Sequence, residues 1–256
     1  MQRVHRPQAD RERYSGKSYL NGIPVMGVVA FDVYGTLVDP AGMVDQLRSR
    51  FGTQAPAAAQ LWRDKQLEYS FRRALMRRYT DFDACTEQAL RYVGDHLGVH
   101  LDESEQRALL DAYRRLPAFA DVKIGLQRLI GAGCRLVALT NGTERSVRPL
   151  LQYAGISEYF EMILSADTVK SFKPDPQVYA LLRRAGETLE GQSWLVSGNP
   201  FDVIGAKAYG LKSAWVRRDT ARIFDPWEFS PDLVVATLED LCGQLQNRQR
   251  RIDPPG

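Results

Sequence analysis

From residue 121 onward, short apolar runs alternate with helix-length stretches, and this alternation constrains the fold more than any other feature of the chain. The runs fall at Arg135–Leu139, Met162–Ser165, Ser193–Ser197, Ser213–Val216 and Leu233–Thr237. Stretches of helical pattern such as Arg145–Ala154, Pro176–Ala185 and Asp202–Tyr209 separate them. Strands buried on both faces read as continuous apolar runs, and strand–helix alternation builds a parallel sheet covered by helices on both sides. A further run, Val28-Val29-Ala30-Phe31, stands upstream and completes the sheet. The expected fold class is therefore α/β.

Between that first strand and residue 120 the pattern is helical, and nothing in it reads as a strand. Leu67, Phe71, Leu75 and Tyr79 recur every four residues, and Trp62, Tyr69 and Met76 every seven, which predicts a long amphipathic helix. Pro56 suits its first turn, Asp81 or Asp83 starts a second helix running to Leu97, and Asp102 starts a third that ends before Pro117. The expected organisation is a core of residues 23–38 and 121–245 with a helical cap at 39–120. Residues 1–22, polar and basic, read as a tail, with Met26 as an alternative start, and 246–256 read as a C-terminal tail.

Several function classes drop out on composition. A formal net charge of +3, with no basic stripe interleaved with aromatics, gives no footprint for nucleic acid. No apolar run is long enough for a membrane span, and the N-terminus lacks a signal-peptide core, so a cytoplasmic protein is expected. Cys85, Cys134 and Cys242 are scattered, without the spacing of a zinc site or a disulfide framework. His5, His96 and His100 all lie away from the strand ends, which disfavours a Ser-His-Asp hydrolase or a histidine metal site. Acid–base work falls to carboxylates and lysine.

Groups at the carboxyl ends of parallel strands line the working crevice of such folds. The first strand ends at Asp32, followed by Thr36. An aspartate there most often only caps a helix, so its partners decide the matter. After the later strands come Thr140-Asn141-Gly142-Thr143, then Ser171-Phe172-Lys173-Pro174-Asp175-Pro176, then Ser197-Gly198-Asn199-Pro200-Phe201-Asp202. A carboxylate, a small polar group, a lysine and a second carboxylate at successive strand ends form a candidate catalytic set.

The order D-x-x-x-T, T-N-G, K-P and an Asp-ended loop resembles the haloacid dehalogenase superfamily, whose fold is Rossmann-like with helical caps. Its phosphatases carry a second acid two residues after the nucleophile, where this chain has Tyr34, and an aspartate in the fourth loop, where it has Gly198. A departing halide needs no proton, and displacement at an sp³ carbon builds no phosphoryl-like charge, so both absences fit dehalogenation. Residues 61–69, Leu-Trp-Arg-Asp-Lys-Gln-Leu-Glu-Tyr, together with F-D-x-Y-G-T-L, resemble the L-2-haloacid dehalogenase branch over roughly residues 26–240.

That resemblance implies residue roles. Asp32 attacks C2 of an L-2-haloalkanoate with inversion, giving an aspartyl ester. Lys173, Thr140 and the backbone amides after Asp32, at Val33 and Tyr34, meet the substrate carboxylate. Arg63 and Asn141 receive the halide, and Thr36 orients Asp32. Asp202, bonded within the Ser197–Asn199 loop and near Lys173, activates the hydrolytic water. Tyr179 bonds within the site, and Leu67, Phe82 and Phe201 close around the alkyl group. No metal and no cofactor is implied, and a homodimer is. Three departures stand out: Phe201 in place of a larger aromatic, Thr140 in place of serine, and Asp64 beside Arg63 where glutamine is frequent. Other readings stay open: a hydrolase of the same branch on another activated 2-substituted acid, a Mg-dependent phosphatase, or a non-catalytic scaffold.

Overall fold

The computed structural model describes residues 27–185 and 193–252, together with Tyr19–Leu20 and Ile23–Pro24. Those two dipeptides pair as an antiparallel ribbon, β1 (Tyr19–Leu20) and β2 (Ile23–Pro24). The N-terminal tail reading therefore stops short of Tyr19, and its earlier part lies outside the described residues. β3 (Val28–Phe31) enters the main sheet. Four inserted helices follow: α1 (Met43–Phe51), α2 (Ala55–Met76), α3 (Phe82–His96) and α4 (Glu103–Tyr113). The chain then runs α5 (Val122–Gly131), β4 (Arg135–Thr140), α6 (Glu144–Tyr153), β5 (Met162–Ser165), α7 (Pro176–Ala185), β6 (Trp194–Ser197), α8 (Pro200–Tyr209), β7 (Lys212–Val216), β8 (Leu233–Val235) and α9 (Leu238–Ile252). The C-terminal segment read as a tail is thus helical as far as Ile252.

Six parallel strands lie in the order β5-β4-β3-β6-β7-β8. The chain builds outward from β3 through β4 to β5, then returns to β3's other edge and builds outward again through β6. Its connections therefore diverge on either side of β3, which opens a crevice at the carboxyl ends of β3, β4 and β6. Alternation along β3 sends Val29 and Phe31 into the core under α5 and α9, and Val28 and Ala30 into the core under α7 and α8.

The helix starts follow their caps. Asp81 accepts from the Ala84 amide at 2.8 Å, and Asp102 forms a reciprocal box with Glu105. One expectation needs correction. In α2 the buried face is Ala55, Ala58, Trp62, Gln66 and Ser70, whereas Leu67 and Phe71 are half-exposed and Leu75 is 85% exposed. Tyr79 lies beyond the helix end. Trp62 and Gln66 on this face bond across to α3, Trp62 Nε1 donating to the Thr86 carbonyl at 2.8 Å and Gln66 Nε2 to Thr86 Oγ1 at 2.6 Å. At the base of the insertion, the amide of Asp39 donates to Pro117 (3.1 Å) and that of Phe119 to Leu37 (3.1 Å), a strand-like contact inside the stretch read as wholly helical.

Candidate active site

Asp32 leaves β3 at the crevice, and the chain turns back sharply behind it: the amides of Leu37 and Val38 both donate to the Val33 carbonyl, at 2.9 and 3.1 Å. The amides of Val33 and Tyr34 meet no acceptor among the described residues, so they remain free to bind an anion beside Asp32. Thr36 Oγ1 donates to Asp32 Oδ2 at 2.7 Å, and Asn199 Nδ2 donates to the same oxygen at 2.8 Å. Lys173 Nζ donates to the other oxygen, Oδ1, at 2.9 Å and to Asp202 Oδ2 at 2.8 Å. The carboxylate is thereby fixed in orientation, with one oxygen doubly held and the other singly.

Lys173, only 1% exposed, lies between the two carboxylates. Burial alone would lower its pKa, but Asp202 and Asp32 outweigh that and hold the ammonium above its ordinary value. Burial pushes Asp202 up and Asp32 adds to the push, against the pull of Lys173. Tyr179 donates to Asp202 Oδ1 at 2.9 Å. This close assembly depends on Gly205 in α8, where a Cβ would stand 2.4 Å from the Tyr179 hydroxyl and 2.6 Å from Pro174. The side chain of Asp202 does not cap α8; Asn199 holds the cap position. Among the described residues, Asp202 reaches the Ser197–Asn199 loop through its amide, which donates to the Asn199 carbonyl at 3.1 Å. Ser197 faces inward, its Oγ accepting from the Asn199 amide at 3.1 Å.

On the other flank, Asn141 Oδ1 accepts from the Lys173 amide at 2.8 Å, leaving its Nδ2 without an acceptor among the described residues. Thr140 Oγ1 accepts from Gly142 at 3.1 Å. Arg63 reaches over from α2, and its Nη2 donates to the Tyr34 carbonyl at 3.1 Å. That carbonyl also accepts from Asn199 Nδ2 at 3.0 Å, so an inserted helix and the core loop meet on one atom. The Tyr34 ring turns away into an aromatic wall, 5.6 Å from Phe82 and 5.8 Å from Tyr113 between ring centroids. Phe82 continues to Phe172 at 6.1 Å.

A family model for haloacid dehalogenase-like hydrolases matches residues 26–210. The chain belongs to that family. An (S)-2-haloacid dehalogenase of Pseudomonas sp. (strain YL) is 38% identical over 210 residues, covering 82% of this chain and 90% of the relative. Haloacetate dehalogenase H-2 of Moraxella sp. (strain B) is 34% identical over 211 residues, covering 82% of this chain and 94% of that protein. Among solved structures, the L-2-haloacid dehalogenase of Xanthobacter autotrophicus with chloropropionic acid covalently bound gives a TM-score of 0.82 at 32% identity, covering 86% of this chain and 98% of that one. Within the haloacid dehalogenase-like hydrolases, these likenesses set the chain in the L-2-haloacid dehalogenase branch.

Two of the departures can now be located in this dehalogenase-like chain. Asp64 is exposed and accepts from Gln60 at 2.8 Å, turned away from Arg63. Phe201 is half-exposed and packs edge-on against Phe71, 5.1 Å between centroids, with Leu67 half-exposed on the same helix as Phe71. Sequence reasoning missed Gln66, Thr86 and Tyr113 around Arg63, and Phe172 in the wall. It also missed Arg218, whose Nη2 donates to the Thr36 carbonyl at 2.9 Å while its Nε binds Asp121 at 2.9 Å. No local pattern marks a residue whose partner lies on a distant loop.

Proposed function

We propose that this chain hydrolyses short L-2-haloalkanoic acids to D-2-hydroxy acids through an ester on Asp32, without a metal ion, and that it does so as a homodimer. The observation that carries this reading is the fate of positions 34 and 198. The side chain of Tyr34 lies in the aromatic wall, and a Cβ at Gly198 would fall 2.3 Å from the Gly35 carbonyl, so this backbone admits no aspartate there. Positions 34 and 198 thus add no carboxylate for a divalent ion, and the Lys173 ammonium already bridges Asp32 and Asp202, offsetting one of their two negative charges.

In this scheme the substrate carboxylate lies on the free amides of Val33 and Tyr34 near Thr140, and the singly held Asp32 Oδ1 attacks C2. The carbon–halogen bond breaks with its electron pair on the halide, which passes toward Arg63 and Asn141. Oδ2, held by Thr36 and Asn199, becomes the ester carbonyl, and the same two donors stabilise the oxyanion when water adds. Asp202 takes a proton of that water. As the adduct collapses, the Cγ–Oδ1 bond breaks, the departing oxygen of the 2-hydroxy acid receives that proton, and Asp32 returns as a carboxylate carrying one oxygen from water. Phe82, buried in the aromatic wall, together with the half-exposed Leu67 and Phe201, limits the water that reaches the ester.

Halide release from L-2-chloropropionate, with and without EDTA, tests the reading beside an aryl phosphate supplied with Mg²⁺. Halide release that EDTA leaves unchanged, and its loss in Asp32→Asn, are expected. Phosphate release without halide release would overturn the proposal in favour of the phosphatase.

A further inference from the structure

We infer that Gln66 is a positioning residue for Arg63, a neutral acceptor that aims the guanidinium at the leaving halide without cancelling its charge. The inference rests on the proposed dehalogenation. Gln66 is 0% exposed on the face of α2 that packs against α3. Its Nε2 donates to Thr86 Oγ1 at 2.6 Å, and Thr86 spends its own proton on the Phe82 carbonyl at 2.8 Å. Thr86 Oγ1 can then only accept, which decides the amide orientation: the nitrogen of Gln66 faces Thr86, and its oxygen faces Arg63. That oxygen accepts from Arg63 Nη1 at 2.7 Å and from the Tyr113 hydroxyl at 3.0 Å.

Arg63 thus rests on two neutral acceptors, Gln66 Oε1 and the Tyr34 carbonyl, and among the described residues no carboxylate pairs with it. Several arginines of the inserted segment carry a carboxylate partner instead, although Arg73 of α2, through exposed bonds, also rests on neutral acceptors, Gln88 and the Arg78 carbonyl. Arg72 pairs with Glu68, Arg91 with Glu87, Arg107 with Glu103 and Arg114 with Asp111. Even the adjacent Asp64 is occupied elsewhere, by Gln60. An arginine kept free of counter-charge, partly buried, and fastened to the carbonyl two residues past the nucleophile is set to receive an anion. A carboxylate in place of the Gln66 amide would still accept from Arg63 but quench that charge, and would need Thr86 to turn its proton from the Phe82 carbonyl to the new acceptor. The smaller halide concentrates its charge and departs less readily, so chloride depends on Arg63 more than bromide does.

Single-turnover halide release, with enzyme in excess, isolates the displacement step because the halide leaves in it. For L-2-chloropropionate and L-2-bromopropionate, Gln66→Glu is expected to raise the bromide-to-chloride rate ratio about tenfold over wild type, the scale of one charged hydrogen-bonding partner. Gln66→Met, which removes the acceptor without adding charge, is expected to move the ratio the same way by less. It also decides the matter alone should the glutamate variant not fold. A merely structural role would slow both substrates alike, and an unchanged ratio in a folded variant would overturn the inference. Wild-type protein that releases neither halide overturns the proposed function first, and this inference with it.

Discussion

Lys173 carries its charge where water does not reach, and two carboxylates share it. Because its pKa is raised in the folded protein, the pairing contributes in full below the ordinary lysine value of about 10.4 and fades as pH climbs through the raised one. Asp202 behaves oppositely to a surface aspartate. With its pKa raised chiefly by burial, it weakens the fold as pH rises past the ordinary carboxylate range and takes no part in acid unfolding. Removing the lysine should expose this balance. Lys173→Met leaves two buried carboxylates facing each other, and a loss of roughly 3–5 kcal/mol is expected at pH 7. Part of that loss should return in mildly acid buffer as one carboxyl takes up a proton. Urea titrations at the two pH values check this; a denaturation midpoint equal to wild type at pH 7 would refute it.

At the far edge of the sheet one carboxylate gathers donors from three elements. Asp232, just ahead of β8, accepts from Lys207 of α8 at 2.9 Å, the Ser213 amide of β7 at 2.9 Å and Arg248 of α9 at 3.2 Å. Burial would raise its pKa, but these donors together hold it below the usual carboxylate value. A depressed value means stability that is present at neutral pH and lost as the solution is acidified through it. Asp232→Asn should cost about 2 kcal/mol at pH 7, and its deficit against wild type should shrink below about pH 4; thermal melts across that range measure it, and a deficit constant with pH would count against the assignment. The strands and helix starts of this sheet were readable because each carries its own local signal, an apolar run or a capping aspartate. Asp32, Lys173 and Asp202 were readable because strand ends mark their places. The face of α2 was not: counting leucines picks out Leu67, Phe71 and Leu75, whereas burial follows Trp62, Gln66 and Ser70, whose polar atoms are satisfied by partners on other turns or another helix. Arg218 was illegible for a similar reason, since Asp121 and Thr36 reach it only once the sheet has formed.

At the scale of the whole molecule, the inserted segment meets the core through an aromatic wall and, among the described residues, few side-chain hydrogen bonds. Beside the Arg63–Tyr34 bond, Tyr79 donates to Asp167 at 2.8 Å and Ser146 donates to Asp83 at 2.5 Å, one on either side of Phe82. Each such bond is worth about 1 kcal/mol, so losing both should lower kcat/KM by up to roughly thirtyfold by loosening the wall over the crevice. Steady-state kinetics of the Tyr79→Phe, Ser146→Ala double variant test this; unaltered kcat/KM would show that the bridges do not hold the wall. The strand order has a consequence for how the protein is made. Val28 pairs with Arg135, and Val29 pairs with Trp194 on the opposite edge. The strand bearing the nucleophile leaves the ribosome first among those of the main sheet, yet it waits through the synthesis of the inserted helices for one neighbour and longer still for the other. Over that interval both its edges are open to pairing with a stranger, the hazard that slow, long-range sheets share. Truncated chains ending before β6 would leave the strand that leads into Asp32 with one edge unpaired, so premature termination is expected to give a fragment prone to aggregate rather than a weaker enzyme.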